Sequence, residues 1–311
     1  MILNLTNTFN PFPEIEEINF KSFTFSGGEP HIKIITDLTD VDNVMITQRV
    51  NSFNDFGLLL LAIDSVKRFG VKNIDVFIPY FPAARQDRLM MNGEPLSLKV
   101  YTEILNLSNI SCVHVYDAHS EVTPALLNNC VNYNNHSFIS EVIKELEAET
   151  FLISPDGGAL KKIYKVASYL EEYEVVEASK SRDVKTGKLS GFQVYKDDLE
   201  GRDCLVIDDI CDGGGTFLGL AKELKKKIRL SGSSRQPATT SNLRPETSSS
   251  QEEQVDTANK SKDDKKSSKK TKKKSSKSKI KKVMSLVVVC QCFVIQNKTV
   301  NLILFLWVLY R

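Results

Sequence analysis

The residues best suited to chemistry lie in the stretch CLVIDDICDGGGTF, residues 204–217. An apolar run predicts a buried strand, two carboxylates stand at its C-terminal end, and a glycine-rich turn leads into a helix. Gly213, Gly214 and Gly215 let backbone N–H groups come close to a phosphate, and the helix N-terminus that follows favours an anion. Carboxylates beside an anion site are at odds with each other unless the ligand also carries hydroxyls, which Asp208 and Asp209 suit. A sugar phosphate meets both demands. The plain alternative is an ordinary glycine-rich strand-to-helix turn with solvated aspartates, and the flanking strand and helix argue against it.

Four further clusters have the right types for phosphate chemistry. In PYFPAARQDR, Pro79 and Pro82 stiffen the exit from a strand, after which Arg85, Gln86, Asp87 and Arg88 crowd one loop. A guanidinium there can fork onto a phosphate, whereas a simply solvated loop would ask nothing of these residues. Asp117 and His119 end an apolar run, and strand residues two apart share a face. Asp156 opens a Pro-Asp-Gly-Gly turn, a pattern also common in plain turns. Lys180 and Arg182 follow a strand and precede a polar stretch, DVKTGKL, where alternate basic residues often just decorate a solvated edge.

These groups need a scaffold, and the pattern from residue 1 to 227 supplies one. Short runs rich in Val, Ile, Phe and Tyr predict strands at 31–35, 44–50, 74–80, 112–116, 150–153, 174–178, 192–195 and 204–207. Helical periodicity predicts helices at 54–69, 98–107, 137–146, 160–170 and 216–225, the first with Leu58, Leu61, Ala62, Ser65 and Phe69 on one face. Alternation of this kind indicates an α/β protein with mostly parallel sheets.

Charge divides the chain in two. Residues 228–311 hold 18 of the 41 Lys and Arg but 6 of the 39 Asp and Glu, so an acidic front precedes a basic remainder. Residues 231–259 have linker composition, and 13 of the 23 residues from Lys260 to Lys282 are lysine. The reading is therefore of a disordered, Ser/Lys-rich linker over 228–282 and an apolar tail over 283–311. Its two apolar runs are each shorter than the roughly 20 residues of a spanning helix. A lysine run is usually a solvated tail; contact with nucleic acid or an anionic membrane by charge alone is the lesser reading. Six cysteines without CxxC spacing argue against a disulfide scaffold or zinc site, and the N-terminus lacks the pattern of a secretory leader. A reduced, cytoplasmic protein is expected.

Residues 204–217 resemble the phosphoribosyl-pyrophosphate loop of the type I phosphoribosyltransferase fold. FSGGEPHIKI (25–34), FIPYFPAARQDRLMMNGEPLSLK (77–99), VYDAHS (115–120), ISPDGGALKK (153–162) and KSR (180–182) occur in the order seen in ribose-phosphate pyrophosphokinases. The resemblance covers residues 20–227. It implies two phosphoribosyltransferase-like domains, 1–136 on the ATP side and 137–227 bearing the sugar-phosphate loop, with the second domain incomplete after its last helix. It implies transfer of the diphosphoryl group of ATP to ribose 5-phosphate, with Mg2+, in a homo-oligomer. By resemblance, Phe25, Glu29, Arg85, Gln86 and Asp87 would serve ATP, Phe25 and Glu29 across a subunit interface. Asp117 and His119 would serve the metal–nucleotide complex, and Lys180, Arg182 and His119 catalysis. Asp156, Asp208, Asp209, Asp212, Gly213, Gly214, Gly215 and Thr216 would serve ribose 5-phosphate. Asn128 and Asn132 stand where the family carries acidic, metal-assisting positions. The alternative is a catalytically inactive homologue acting as a regulatory or oligomerising subunit.

Overall fold

The computed structural model describes residues 1–144, 146, 150–171, 173–182, 189–199, 202–211 and 213–233, together with three short strands at 286–289, 292–293 and 305–307. The first unit runs β1 (Ile2–Asn4), β2 (Phe20–Thr24), β3 (Pro30–Ile34), β4 (Asn43–Thr47), α1 (Phe53–Arg68), β5 (Asn73–Ile78), α2 (Ser97–Leu107), β6 (Cys112–Tyr116), α3 (Val122–Leu126) and β7 (Cys130–Tyr133). The second runs α4 (His136–Lys144), β8 (Thr150–Ser154), α5 (Leu160–Leu170), β9 (Val175–Arg182), β10 (Leu189–Val194), β11 (Asp203–Ile207), β12 (Ile210–Cys211) and α6 (Gly215–Ser233), then β13 (Leu286–Val289), β14 (Cys292–Phe293) and β15 (Phe305–Trp307).

In the first unit, five strands pair in the order β1-β4-β5-β6-β7, all parallel. The antiparallel pair β2–β3 stands apart as a hairpin. Helix α1 starts where the Ser52 side chain accepts from the Asp55 amide at 3.1 Å, a cap that satisfies one orphan donor. Its buried face is Phe56, Leu59, Ala62, Ile63 and Val66, against Ile46, Ile74 and Val76 of the sheet. The periodicity had placed Leu61 inward, yet Leu61 is 40% exposed. A helix holding Leu58-Leu-Leu-Leu-Ala-Ile63 is apolar on nearly every side, so hydrophobic spacing alone leaves its rotation open by one position.

The second sheet shows period-2 alternation buried on both faces. Strands β8 and β11 are buried at every residue. Phe151, Ile153, Cys204 and Val206 pack with Phe217, Leu220 and Leu224 of α6, whereas Leu152, Leu205 and Ile207 pack with Ile139, Val142, Ile163 and Val166 of α4 and α5. A parallel sheet covered on both sides requires such continuous apolar strands. The order is β10-β9-β8-β11-β13-β15, with β10 antiparallel to β9 and β15 antiparallel to β13.

Several expectations are revised. Strand β9 extends to Arg182, so Lys180 and Arg182 belong to the strand and do not follow it, because β10 pairs back onto that stretch with Leu189 opposite Arg182. Helix α6 continues to Ser233, past the boundary drawn at residue 227. The edge of β11 is taken by β13 in parallel register. The linker reading for 234–282 lies outside the described residues. No helix among the described residues is long and apolar enough to cross a membrane.

At Gly219, inside α6, an added Cβ would overlap the ring of Phe192 on β10. Alanine normally stabilises a helix interior by roughly 0.5–1 kcal/mol over glycine. Here overpacking wins, and Gly219→Ala is expected to lower the stability of the second unit by about 1–3 kcal/mol in denaturant unfolding.

Candidate functional site

Functional side chains gather where the parallel strands of both sheets end, the place where open α/β sheets put their ligands. Their walls enclose a cavity of about 1080 Å³ reached by residues of both units, at the upper end of the roughly 300–1,000 Å³ of small-molecule sites.

From the first unit come Asp117 and His119. Strand β6 stops at Tyr116, and Asp117 turns out of it with φ 47°, a left-handed conformation that aspartate tolerates better than most residues. Both side chains therefore reach the cavity by a sharp turn, not by sharing a strand face. Asp117 is buried; its Oδ2 accepts from Asn135 Nδ2 at 2.9 Å and its Oδ1 lies 3.2 Å from Lys162 Nζ. Burial raises the Asp117 carboxyl above its ordinary value against the pull of Lys162, and neighbouring Asp209 raises it further.

From the second unit come two aspartates at the end of β11. Asp209 Oδ2 lies 2.6 Å from His119 Nδ1, and Asp209 Oδ1 lies 3.8 Å from Lys162 Nζ. Burial works to raise Asp209, but the hydrogen bond from His119 and the charge of Lys162 outweigh it and hold the carboxyl below its usual range. Asp208 goes the other way: burial, then the adjacent Asp209, push it well above 3.8. Gly214, at φ 70°, makes the bend that brings the first turn of α6 to the cavity, where amides precede any partner four residues back. Asp212 lies outside the described residues.

Asp156 lies in the loop between β8 and α5. Its Oδ1 accepts from the amides of Gly158 at 2.8 Å and Ala159 at 3.0 Å, and its Oδ2 lies 2.7 Å from Lys180 Nζ. Lys180 also donates to Thr216 Oγ1 at 3.0 Å. Burial favours a raised Asp156 carboxyl, yet Lys180 and the two amides prevail and lower it. Lys180 thus ties the α5 entrance to the α6 entrance. Arg182 ends β9, and its side chain lies outside the described residues.

The loop after β5 supplies Arg85 and Arg88 to the cavity wall, while Asp87 turns inward to Arg88 Nε at 2.8 Å. Gln86 is held by its backbone, its N–H donating to Ala83 O and its carbonyl accepting from Leu98, and does not line the cavity. Phe25 and Glu29 sit at the β2–β3 turn outside the cavity; Phe25 is 51% exposed and packs on Phe23 and His31. Asn132 reaches the cavity, its Oδ1 accepting from the Ala118 amide at 3.0 Å, whereas the Asn128 backbone N–H donates to Asn106 Oδ1.

Sequence reasoning passed over Lys162 and Asn135. A signal for Lys162 existed. Lys161 and Lys162 occupy the first turn of α5, where a cation opposes the helix dipole by roughly 0.3–1 kcal/mol. A residue that breaks a local rule marks a functional or strained site, and Lys162 is repaid by two carboxylates from different strands.

Fold and site together define a two-domain α/β protein of the phosphoribosyltransferase type. Comparison with known proteins narrows this. Residues 6–108 match the N-terminal domain of ribose phosphate pyrophosphokinase, and residues 133–230 match the phosphoribosyl transferase domain. The ribose-phosphate pyrophosphokinase of Mycoplasma pneumoniae is 28% identical over 207 residues, 65% of this chain and 62% of that protein. The one from Saccharolobus solfataricus is 29% identical over 198 residues, 62% of this chain and 67% of that protein. A solved phosphoribosylpyrophosphate synthetase from Mycobacterium smegmatis shares the fold with a TM-score of 0.61 at 21% identity, covering 73% of this chain and 77% of that one. The chain belongs to the ribose-phosphate pyrophosphokinase family, and it spans about three fifths to two thirds of the length of the curated relatives.

Two predictions follow from the charge arrangement. Removing one partner of a buried ion pair costs about 3–5 kcal/mol. With a third of the Lys162 side chain exposed, Lys162→Ala is expected to cost about 2 kcal/mol in denaturant unfolding, and adding Asp117→Asn should return part of it. For Asp156 the folded pKa lies below the ordinary 3.8, so its contribution is full above that pH and fades as the pH falls through the folded value. Asp156→Asn should therefore flatten the acid limb of stability against pH below about 4, measured by unfolding at a series of pH values.

Proposed function

We propose that the chain transfers the diphosphoryl group of ATP to ribose 5-phosphate, giving phosphoribosyl pyrophosphate and AMP. The observation that carries this reading is one cavity with two chemically distinct halves. The α6 entrance at Gly213–Thr216 with Asp208 suits a phosphate and sugar hydroxyls, and the cations Arg85 and Arg88 of the first unit and Lys161 of the second line the same cavity.

In this reading the C1 hydroxyl oxygen of ribose 5-phosphate attacks the β-phosphorus. A new O–P bond forms, the bond from β-phosphorus to the α,β-bridging oxygen breaks, AMP leaves, and the hydroxyl proton is released. Such transfers need positioning and charge neutralisation more than covalent catalysis. Lys180, held between Asp156 and Thr216, offers a fixed cation beside the sugar-phosphate half, with Arg182 further along the same strand. His119, oriented by Asp209, presents its other ring nitrogen for a phosphate oxygen.

The hard oxygen donors fit a divalent ion such as Mg2+, which usually keeps several waters and binds through one or two carboxylates plus substrate phosphates. Asp117, with His119 beside it, would hold it, and it would neutralise charge on the transferred group. Among the described residues no cluster of three or more His, Cys, Asp or Glu stands ready as a cage, which agrees with a metal that arrives with the nucleotide. Phe25 and Glu29, exposed on the hairpin, would complete the nucleotide site of a second copy. The four described cysteines are free thiols, in keeping with a cytoplasmic setting.

Asn132 favours one second reading. Its carbonyl oxygen is used on the Ala118 amide where an acidic residue would add charge for a metal, as a non-catalytic regulatory subunit would tolerate. The test is AMP formation from ATP and ribose 5-phosphate with Mg2+. Turnover that falls by at least about 100-fold in Lys180→Ala, Arg182→Ala is the expected result. Folded protein that binds ribose 5-phosphate without turnover would establish the regulatory reading instead.

A further inference from the structure

Asp117 and Asp209 divide their oxygens in the same way. Asp117 Oδ2 accepts from Asn135 Nδ2 at 2.9 Å, and Asp209 Oδ2 lies 2.6 Å from His119 Nδ1. The remaining oxygens, Asp117 Oδ1 and Asp209 Oδ1, converge on Lys162 Nζ at 3.2 and 3.8 Å. Two carboxylate oxygens, one from each unit, thus meet at a single cationic centre, and the cation there is a side chain of α5.

Lys162 is held there loosely. Charge-assisted hydrogen bonds from an ammonium to a carboxylate run to about 2.7–2.9 Å, and Lys180 meets that standard, with Asp156 at 2.7 Å and a second partner, Thr216, at 3.0 Å. Lys162 Nζ is buried, yet among the described residues it has no hydrogen-bond partner of normal geometry. Charge alone keeps it between the aspartates, and its flexible aliphatic stem lets the ammonium leave without moving the helix. Arg85, Arg88, Lys161 and Lys165 line the same cavity, so a polyphosphate drawn in by them brings negative charge to Lys162 as well. While the ammonium stays on Asp117 Oδ1, it opposes any divalent ion that seeks that oxygen, because like charges a few ångströms apart in a partly buried site repel strongly.

We propose that Lys162 is a positioning residue that withholds Asp117 from divalent ions in the free protein and releases Asp117 Oδ1 when the phosphates of a nucleotide draw its ammonium toward them. Metal and nucleotide are then taken up as one ligand, and the coupling is reciprocal, since whatever weakens the hold of Lys162 on Asp117 favours both. Until a ligand arrives, the same lysine neutralises Asp117 and Asp209 across the domain boundary. The inference rests on the reading of Asp117 as the metal-side carboxylate and adds the group that controls access to it.

Titration of the full chain with Mn2+ alone, without nucleotide, tests it, with the free ion read by electron paramagnetic resonance. Lys162→Gln should bind Mn2+ on the order of tenfold more tightly than the unaltered protein, because the opposing charge is gone. Adding Asp117→Asn to Lys162→Gln should abolish the gain. A lysine with a merely structural role would leave the affinity unchanged or lower it as the carboxylates drift apart, and either result overturns the proposal. So does a gain that persists in the Lys162→Gln, Asp117→Asn protein. Should Lys162→Gln alone not fold, comparing Asp209→Asn with Asp209→Asn, Lys162→Gln poses the same question with one buried negative charge fewer, and no tightening there overturns the proposal equally. The affinities need no turnover, so the expected pattern in a protein that forms no AMP would sink the proposed reaction and leave this inference standing.

Discussion

A carboxylate buried where two domains meet must be matched by positive charge or it will not stay ionised. Asp209 is held from both sides, by a hydrogen bond with His119 of the first unit at 2.6 Å and by the charge of Lys162 of the second, which also holds Asp117. The rest of the cavity depends on this crossed arrangement. It fixes His119, neutralises the two buried aspartates nearest the domain boundary, and sets the ends of β6 and β11 against each other. Lys180 repeats the device one layer deeper into the second unit, linking Asp156 to Thr216 and so the entrances of two helices.

The adjacent aspartates show how little separation in sequence is needed for different roles. Asp208 and Asp209 share a strand end, yet their proton affinities are driven apart, Asp208 upward by burial and its neighbour, Asp209 downward by His119 and Lys162. Environments that divide a carboxylate pair in this way assign distinct work to each member. Asp209 is engaged within the protein. Asp208, whose Oδ1 accepts from the Asp209 amide at 3.0 Å, lines the cavity.

Much of the scaffold was legible because its signals are local. The buried runs around Thr150–Ser154 and Asp203–Ile207 and the glycine turn after β11 all announce themselves within a few residues. The short β7 and the exposed hairpin strand β2 did not, since neither has an apolar pattern of its own. The inward face of α1 was misjudged because four consecutive leucines hide its rotation. Lys162 was passed over because its partners come from distant strands, although its position in the first turn of a helix was a clue. Residues 286–289 and 292–293 were read as part of a tail because a long basic stretch separates them in sequence from the strands they pair with, and register becomes visible only when the strands are side by side.

The central claim is that one cavity, lined by both units, takes a sugar phosphate and a nucleotide together. Calorimetric titration of ribose 5-phosphate, first onto the free protein and then onto protein saturated with Mg2+ and a non-hydrolysable ATP analogue, tests it directly. The account predicts that the sugar phosphate binds in both titrations, with one equivalent of each ligand held at once. Binding that is lost when the analogue is present, or no binding of ribose 5-phosphate to folded protein, would contradict it.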